Sequence, residues 1–265
     1  MSLPYARKPK HISFSSLTKW ERDPLGYYFD KCAPEEYKSQ GGYSNPAMRV
    51  GSAFDIQVKA ALGAPVHLDD KIDEEARMIG EIAYRGYRNS GAFDELPDGI
   101  VPEPALDAPK KADWDGIIIA GFPDAMWRND ETCGILDWKV SGAYSESRKI
   151  PKGEFFKVWN SDGMSINGNE WPMHEINGKW ASQLTFYGVI EGLPAGEFKA
   201  SIDQLLMEKD SELVVIARYM GLITPDFAKS VWDRCNALWT ALEQNKVVNE
   251  DLLPTTDLAT LSLMV

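Results

Sequence analysis

The sequence predicts an α+β fold, a central mixed β-sheet flanked by helices with a helical N-terminal part. Three observations predict it. Residues 12–95 carry apolar side chains at helical spacing between capping residues, short runs rich in β-branched residues follow Pro97, and a further helical stretch precedes two last strands.

Ser13 or Ser15 can cap a first short helix that carries Leu17 and Trp20 and is ended by Pro24. From Asn45 to Gly63 the helix signal is stronger: Asn45 suits the cap, Pro46 the first turn and Gly63 the stop, and Val50, Phe54, Val58 and Leu62 recur on one face. A helix over about Ile72 to Asn89 places Ile72, Ala76, Ile79 and Ala83 on one side and ends near Gly91. Ile100 to Leu106, Trp114 to Gly121 and Gly134 to Val140 then read as consecutive strands. Residues 149–180, rich in Gly, Asn, Trp and Lys without periodicity, read as a long loop or small insertion over the sheet. A helix over about 178–192, strands near 197–207 and 211–220, and a last helix over about 225–245 complete the order. No repeat of 20 to 50 residues divides the chain, so residues 1–265 read as a single domain.

Bulk composition sets bounds on function. With 265 residues, 44% of them hydrophobic, the chain can bury a substantial core. It has neither an apolar run near the roughly 20 residues of a membrane span nor the charged-then-apolar layout of a secretion signal. The expectation is a cytoplasmic protein with no membrane partner. Three cysteines at wide spacing, Cys32, Cys133 and Cys235, give no disulfide framework and no four-cysteine metal pattern. A net charge of -12 argues against a protein that coats nucleic acid along its whole surface and leaves room for a local DNA groove. The first ten residues, with Arg7, Lys8, Pro9 and Lys10, read as a basic unstructured arm.

The segment that carries chemistry runs Gly121-Phe-Pro-Asp124 and then, past a turn, Ile135-Leu-Asp137-Trp-Lys139. Alternate side chains of a strand share a face, so Asp137 and Lys139 point one way and Trp138 the other. Asp124, at the end of the preceding strand, can meet them. Carboxylate oxygens are fitting ligands for the hard cations that phosphodiester hydrolysis uses, and a lysine ammonium can hold the attacking water or stabilise charge on the phosphate. An acid-x-Lys triplet is uninformative alone, since Glu36/Lys38, Asp69/Lys71 and Glu197/Lys199 repeat it, and a structural salt bridge is the plain alternative. Only Asp137/Lys139 follows a buried-strand pattern with a Pro-Asp pair upstream.

Further residues fall into line with it. Gln183 and Tyr187, four apart on a predicted helix, share a face; Glu103 lies in the first predicted strand; Gly51 and Asp55 share a face of the Asn45 helix. In this order, Gly51-Ser-Ala-Phe-Asp55, Glu103, Gly121-Phe-Pro-Asp124, Asp137-Trp-Lys139 and Gln183-Leu-Thr-Phe-Tyr187, with the opening Ser13–Phe29 segment, the chain resembles the RecB-like branch of the PD-(D/E)XK nucleases, which includes CRISPR-associated and phage recombination exonucleases. The resemblance spans residues 12 to about 190.

It implies a restriction-endonuclease-like core over 97–220 containing the 149–180 insertion, an N-terminal helical region over 12–95 and the C-terminal helix. It also implies a metal-dependent deoxyribonuclease of the exonuclease kind, acting in DNA recombination, repair or phage DNA processing. One or two Mg²⁺ or Mn²⁺ ions would be held by Glu103, Asp124 and Asp137, with Asp55 and the Trp138 carbonyl as further ligands. Lys139 would position the nucleophilic water, and Gln183 and Tyr187 would orient the DNA backbone or support Lys139. DNA is the implied partner, together with a recombination or single-strand-annealing protein. Two departures stand out: Asp55 occupies the place of a histidine usual in this branch, and Asp23 that of a cysteine in cluster-bearing relatives, so no iron–sulfur cluster is expected. Gly51 is expected to let the helix backbone approach the sheet closely and so turn Asp55 toward the other acids.

Two rival readings remain. One is a nuclease-fold module that binds DNA in a recombination complex without turnover; the other is an acidic, Trp-rich carbohydrate-binding or hydrolysing protein, in which Lys139 has no role. His11, His67 and His174 share no spacing, so zinc catalysis has no support. The aromatic group Phe155, Phe156, Trp159, Trp171 and Trp180 reads as packing of the insertion rather than a base-stacking platform.

Overall fold

A computed structural model describes residues 3–38, 45–66, 72–103, 108–130, 132–142, 157–159, 171–193, 198–207, 214–252 and 262. In chain order its regular elements begin with β1 (Ile12–Ser13), α1 (Phe14–Arg22), α2 (Pro24–Lys31), α3 (Pro46–Ala61) and α4 (Glu74–Asn89). There follow β2 (Ile100–Pro102), β3 (Lys110–Trp114), β4 (Ile117–Gly121), β5 (Ala125–Arg128), β6 (Cys133–Ser141), β7 (Lys157–Trp159) and β8 (Trp171–Pro172). The last are α5 (Met173–Ile190), β9 (Lys199–Met207), β10 (Val214–Leu222) and α6 (Pro225–Glu243). The fold is α+β with a mixed sheet and flanking helices, as the sequence predicts.

The chain divides into two compact units. The first comprises Met1–Tyr43, Lys110–Gly121 and Asp226–Val265, the second Ser44–Pro109 and Phe122–Pro225. In the first unit, Ser13 accepts the Ser16 N–H and starts α1, and Asp23 accepts the Gly26 N–H and starts α2, with Pro24 in its first turn. Pro24 therefore opens a second helix as well as ending the first, because the missing N–H of proline costs nothing in a first turn. The segment read as a free basic arm is tied down through Arg7, which donates to the Phe29, Asp30 and Ala33 carbonyls near the C-terminal end of α2. A cation there also meets the negative end of the helix dipole.

The run Trp114 to Gly121, read as one strand of the central sheet, is corrected to the second half of a hairpin. Asp115 and Gly116 both take positive φ and form the two-residue turn between β3 and β4, and β4 pairs in parallel with β1, giving a separate three-stranded sheet β1-β4-β3. None of Cys32, Cys133 and Cys235 forms a disulfide.

The second unit holds the seven-stranded mixed sheet, ordered β2-β5-β6-β9-β10-β7, with β8 also pairing β10. Asn45 and Asp73 cap α3 and α4 as their side-chain oxygens accept the Ala47 and Ala76 N–H groups. The two helices pack closely at Gly80, where an added Cβ would stand 2.6 Å from that of Ala53. Phe54, Val58, Ala83 and Tyr87 from these helices bury one face of the sheet with Leu136, Trp138, Trp127, Trp159 and Leu205. The predicted helix of 178–192 is the second part of α5: Asn177 breaks the helical backbone and its side chain accepts the Lys179 and Trp180 N–H groups, restarting the helix at 178. Of the 149–180 segment, 157–159 and 171–180 are described; Trp159 is buried in the core, and Trp180 packs edge-on against Tyr219 with ring centroids 5.2 Å apart. Phe155, Phe156, the Trp171 side chain, residues 104–106 of the first predicted strand, and His67, Asp69, Lys71 and Glu197 lie outside the described residues. Among the described residues no helix is long and apolar enough to cross a membrane.

Candidate active site

Strand register builds this site. Pairing of β5 with β6 sets Ala125 opposite Leu136, so Asp124, one residue before β5, stands across from Asp137. Pairing of β2 with β5 sets Pro102 opposite Ala125, which brings Glu103 across from Asp124, and the Glu103 N–H donates to the Asp124 carbonyl at 2.9 Å. Directly opposed residues of antiparallel strands share a face, so Asp124, just before β5, and Asp137 of β6 come together, with Glu103 following the end of β2 beside them. Asp124 thus immediately precedes β5 instead of closing the strand before it, because Phe122 and Pro123 also separate β4 from β5.

β6 continues four residues past Asp137, beyond the point where β5 begins. The Trp138 N–H has no β5 partner there and donates to Asp124 Oδ2 at 2.9 Å. Trp138 turns its ring to the core, where its Nε1 donates to the Tyr87 hydroxyl at 3.2 Å, while Asp137 and Lys139 point the other way and make an ion pair, Nζ to Oδ2, of 2.5 Å. From α5, the Gln183 amide donates to the Tyr187 hydroxyl at 2.7 Å and lies 3.5 Å from Asp137 Oδ1. Asp55, Asp124, Asp137, Trp138, Lys139, Gln183 and Tyr187 all line one cleft of about 490 Å³, together with Gly51, Ser52 and Met48 of α3. Glu103 is buried, and its side chain is not among those lining the cleft.

Gly51 does not play the part the sequence suggested. An added Cβ there meets nothing within 4 Å, so the glycine leaves the cleft wall open rather than permitting close packing. What places Asp55 is its own helix: Asp55 Oδ2 accepts the Lys59 ammonium at 2.9 Å, and the same ammonium lies 3.9 Å from Asp124 Oδ1. Lys59 escaped the sequence reading. The signal was present, since Asp55 and Lys59 are one helical turn apart and Lys59 follows the buried Val58.

Burial and mutual repulsion dominate the electrostatics. The Asp55 carboxyl is pushed from 3.8 up to about 7 by burial and by the facing Asp124 carboxylate, against the pull of Lys59. Asp137 rises likewise to about 7, through burial and Asp124, with Lys139 opposing. For the Lys139 ammonium, burial acts downward, but Asp137 and Asp124 outweigh it and its pKa is raised. Burial and the same carboxylates raise the Tyr187 hydroxyl far above its ordinary range.

The donor set suits a hard divalent cation: carboxylates disfavoured in their charged form by burial and repulsion regain it when a cation binds, and the buried Asp55 Oδ1 has no hydrogen-bond partner. As the side chains stand, no three of His, Cys, Asp or Glu among the described residues are gathered closely enough to hold an ion; the carboxylates lean toward Lys59 and Lys139.

No family model matches the chain, and no curated protein matches it. It is similar to a solved structure, the crystal structure of SSO0001, over 88% of this chain and 79% of that one, at 14% identity and a TM-score of 0.36. A likeness that distant carries no argument about fold detail or function.

Proposed function

We propose that this chain is a divalent-metal-dependent deoxyribonuclease of the PD-(D/E)XK kind that hydrolyses phosphodiester bonds, with Asp124, Asp137 and Lys139 at its centre. The observation that carries the reading is Asp124 opposed to Asp137, with Lys139 two residues on and all three lining one cleft. Asp124 and Asp137 would hold Mg²⁺ or Mn²⁺, with Glu103, Asp55 and the Trp138 carbonyl as further oxygen donors. A bound ion would neutralise the phosphate and lower the pKa of the attacking water. Lys139, released from Asp137 once that carboxylate has a stronger counter-charge, would orient the water as it attacks phosphorus and stabilise the charge that builds on the phosphate oxygens. Hydrolysis breaks one P–O bond, leaving a phosphate on one strand end and a hydroxyl on the other. Gln183 would hold Asp137 in place and, with Tyr187, present donors to the DNA backbone.

The purified protein, incubated with end-labelled linear and with circular DNA, tests this. Cleavage that requires Mg²⁺ or Mn²⁺ and stops in excess chelator supports the reading, and unchanged cleavage in chelator ends it. A second reading, a nuclease-fold module that binds DNA in a recombination complex without turnover, draws on one observation. Lys139 is paired with Asp137 at 2.5 Å, as a purely structural ion pair would be. Metal-dependent DNA binding without product on any substrate would favour it.

A further inference from the structure

Lys59 is absent from the roles above, yet it is one of the few buried charged side chains of the second unit, with 5% of its surface exposed. It does not line the cleft, so it is not placed to touch DNA or a reacting atom. Its ammonium instead sits behind the carboxylates, 2.9 Å from Asp55 Oδ2 and 3.9 Å from Asp124 Oδ1. Burying an ammonium is costly unless it is paired, and here the partners are two acids brought from separate elements, α3 and the start of β5. In a two-metal phosphodiesterase the ions stand roughly 3.5–4 Å apart and are bridged or flanked by such acids. Between Asp55 and Asp124 the structure places a fixed positive charge belonging to the protein, the Lys59 ammonium.

Formal charge points the same way. Around the cleft, Asp55, Asp124 and Asp137 face Lys59 and Lys139, which leaves one negative charge when all are ionised. One divalent cation and one phosphodiester bring that sum to zero, whereas two cations would overshoot it by two charges.

We infer that Lys59 is a built-in counter-ion that takes the place of a second metal, so that the site binds one divalent cation, held on the Asp124 and Asp137 side. This rests on the metal-dependent reading above. Lys59 is then a positioning residue that acts through Asp55 and Asp124, and its removal should open a second cation site between them.

The test is metal stoichiometry without DNA, by calorimetric Mn²⁺ titration and by electron paramagnetic resonance of free Mn²⁺. The wild type, Lys59→Met and Lys59→Arg are compared, with folding checked by circular dichroism. Lys59→Gln, which can still hydrogen-bond Asp55, replaces the Met variant if that one does not fold. The expected result is one Mn²⁺ per chain for the wild type and Lys59→Arg. The uncharged variants should bind two, the second with a Kd within about tenfold of the first. Two ions in the wild type, or a single ion in a folded uncharged variant, would overturn the inference and leave the nuclease reading standing. Absence of Mn²⁺ binding in every form would overturn the metal-dependent reading itself, and the inference with it.

Discussion

Asp124 reaches across the sheet to accept the backbone N–H of Trp138 at 2.9 Å, so one carboxylate serves both the strand and the site. Its Oδ2 satisfies a ladder position that β5 leaves empty, while its Oδ1 faces the Lys59 ammonium. The same carboxylate raises the pKa of both Asp55 and Asp137. Structural and electrostatic contributions of Asp124 therefore oppose each other.

Substitution at this position separates them. Asp124→Asn keeps an oxygen for the Trp138 N–H and removes the repulsion, so in chelator it should be at least as stable as the wild type while binding Mn²⁺ much more weakly. Asp124→Ala leaves that N–H without its acceptor and should be less stable than Asp124→Asn by about 1–3 kcal/mol. Urea unfolding of the three proteins in chelator checks the order. Equal stability of the Ala and Asn variants would mean that the hydrogen bond contributes nothing.

Protons and metal compete for the same oxygens, which fixes a pH dependence. Asp55 and Asp137 have folded-state pKa values raised from 3.8 to about 7, so between those values the folded protein binds more protons than the unfolded chain. Their contribution to metal-free stability is complete below the lower value and is lost as pH rises through the upper one. Lys139, raised above 10.5, stays charged throughout that window and adds no slope to it. In chelator, the melting temperature should fall between about pH 4 and about pH 7, by less in Asp137→Asn. The Mg²⁺-induced rise should grow across the same range, because the ion binds the deprotonated form. Thermal melts at several pH values, with and without Mg²⁺, would contradict this if the Mg²⁺ effect were the same throughout.

Much of this was legible in the residues themselves. Asn45 with Pro46, and Asp73, mark the starts of α3 and α4 by cap chemistry alone, and the alternation through Ile135-Leu-Asp137-Trp-Lys139 gives the facing of the acids correctly. Asp124 was found, but its strand was not: Ala125–Arg128 is too short to display alternation, and a break at Phe122-Pro123 looks the same whether the next strand joins the old sheet or another. The hairpin at Asp115-Gly116 carried a turn signal that the longer apolar run obscured. Register was invisible, since it depends on partners far along the chain. For that reason the buried Asp203–Arg218 pair, opposite each other on β9 and β10, was missed, although a lone charge inside each apolar run was the clue.

That pair sits behind Trp138 and yields a stability prediction. The Arg218 guanidinium binds both oxygens of Asp203 at 2.6 Å and donates to the Glu95 and Ala92 carbonyls, and the Tyr87 hydroxyl links Asp203 to Trp138 Nε1. Removing Arg218 alone strands a buried carboxylate. Arg218→Met should therefore cost about 3–5 kcal/mol, and Tyr87→Phe a smaller amount of about 1–3 kcal/mol. The double variant Arg218→Met/Asp203→Leu should recover part of the loss, since it leaves no unpaired charge. Denaturant unfolding decides it, and a double variant no better than Arg218→Met would rule out the stranded charge as the cause.

Lys139→Ala distinguishes catalysis from folding more cleanly than loss of any carboxylate, because Lys139 binds no cation. Its ammonium lies 2.5 Å from Asp137 Oδ2, and two roles are compatible with that contact. If the lysine serves the reaction, its loss should lower single-turnover cleavage by roughly a hundredfold or more while Mn²⁺ and DNA binding persist. Asp137, with its nearest positive neighbour gone, should then be still harder to ionise without metal, which a metal-free titration can follow. If the lysine is only an ion-pair partner, the variant should lose stability and keep its rate per folded molecule. Cleavage rates read beside a Mn²⁺ titration and a urea melt separate the two, and a folded Lys139→Ala protein that cleaves at the wild-type rate would remove Lys139 from the mechanism.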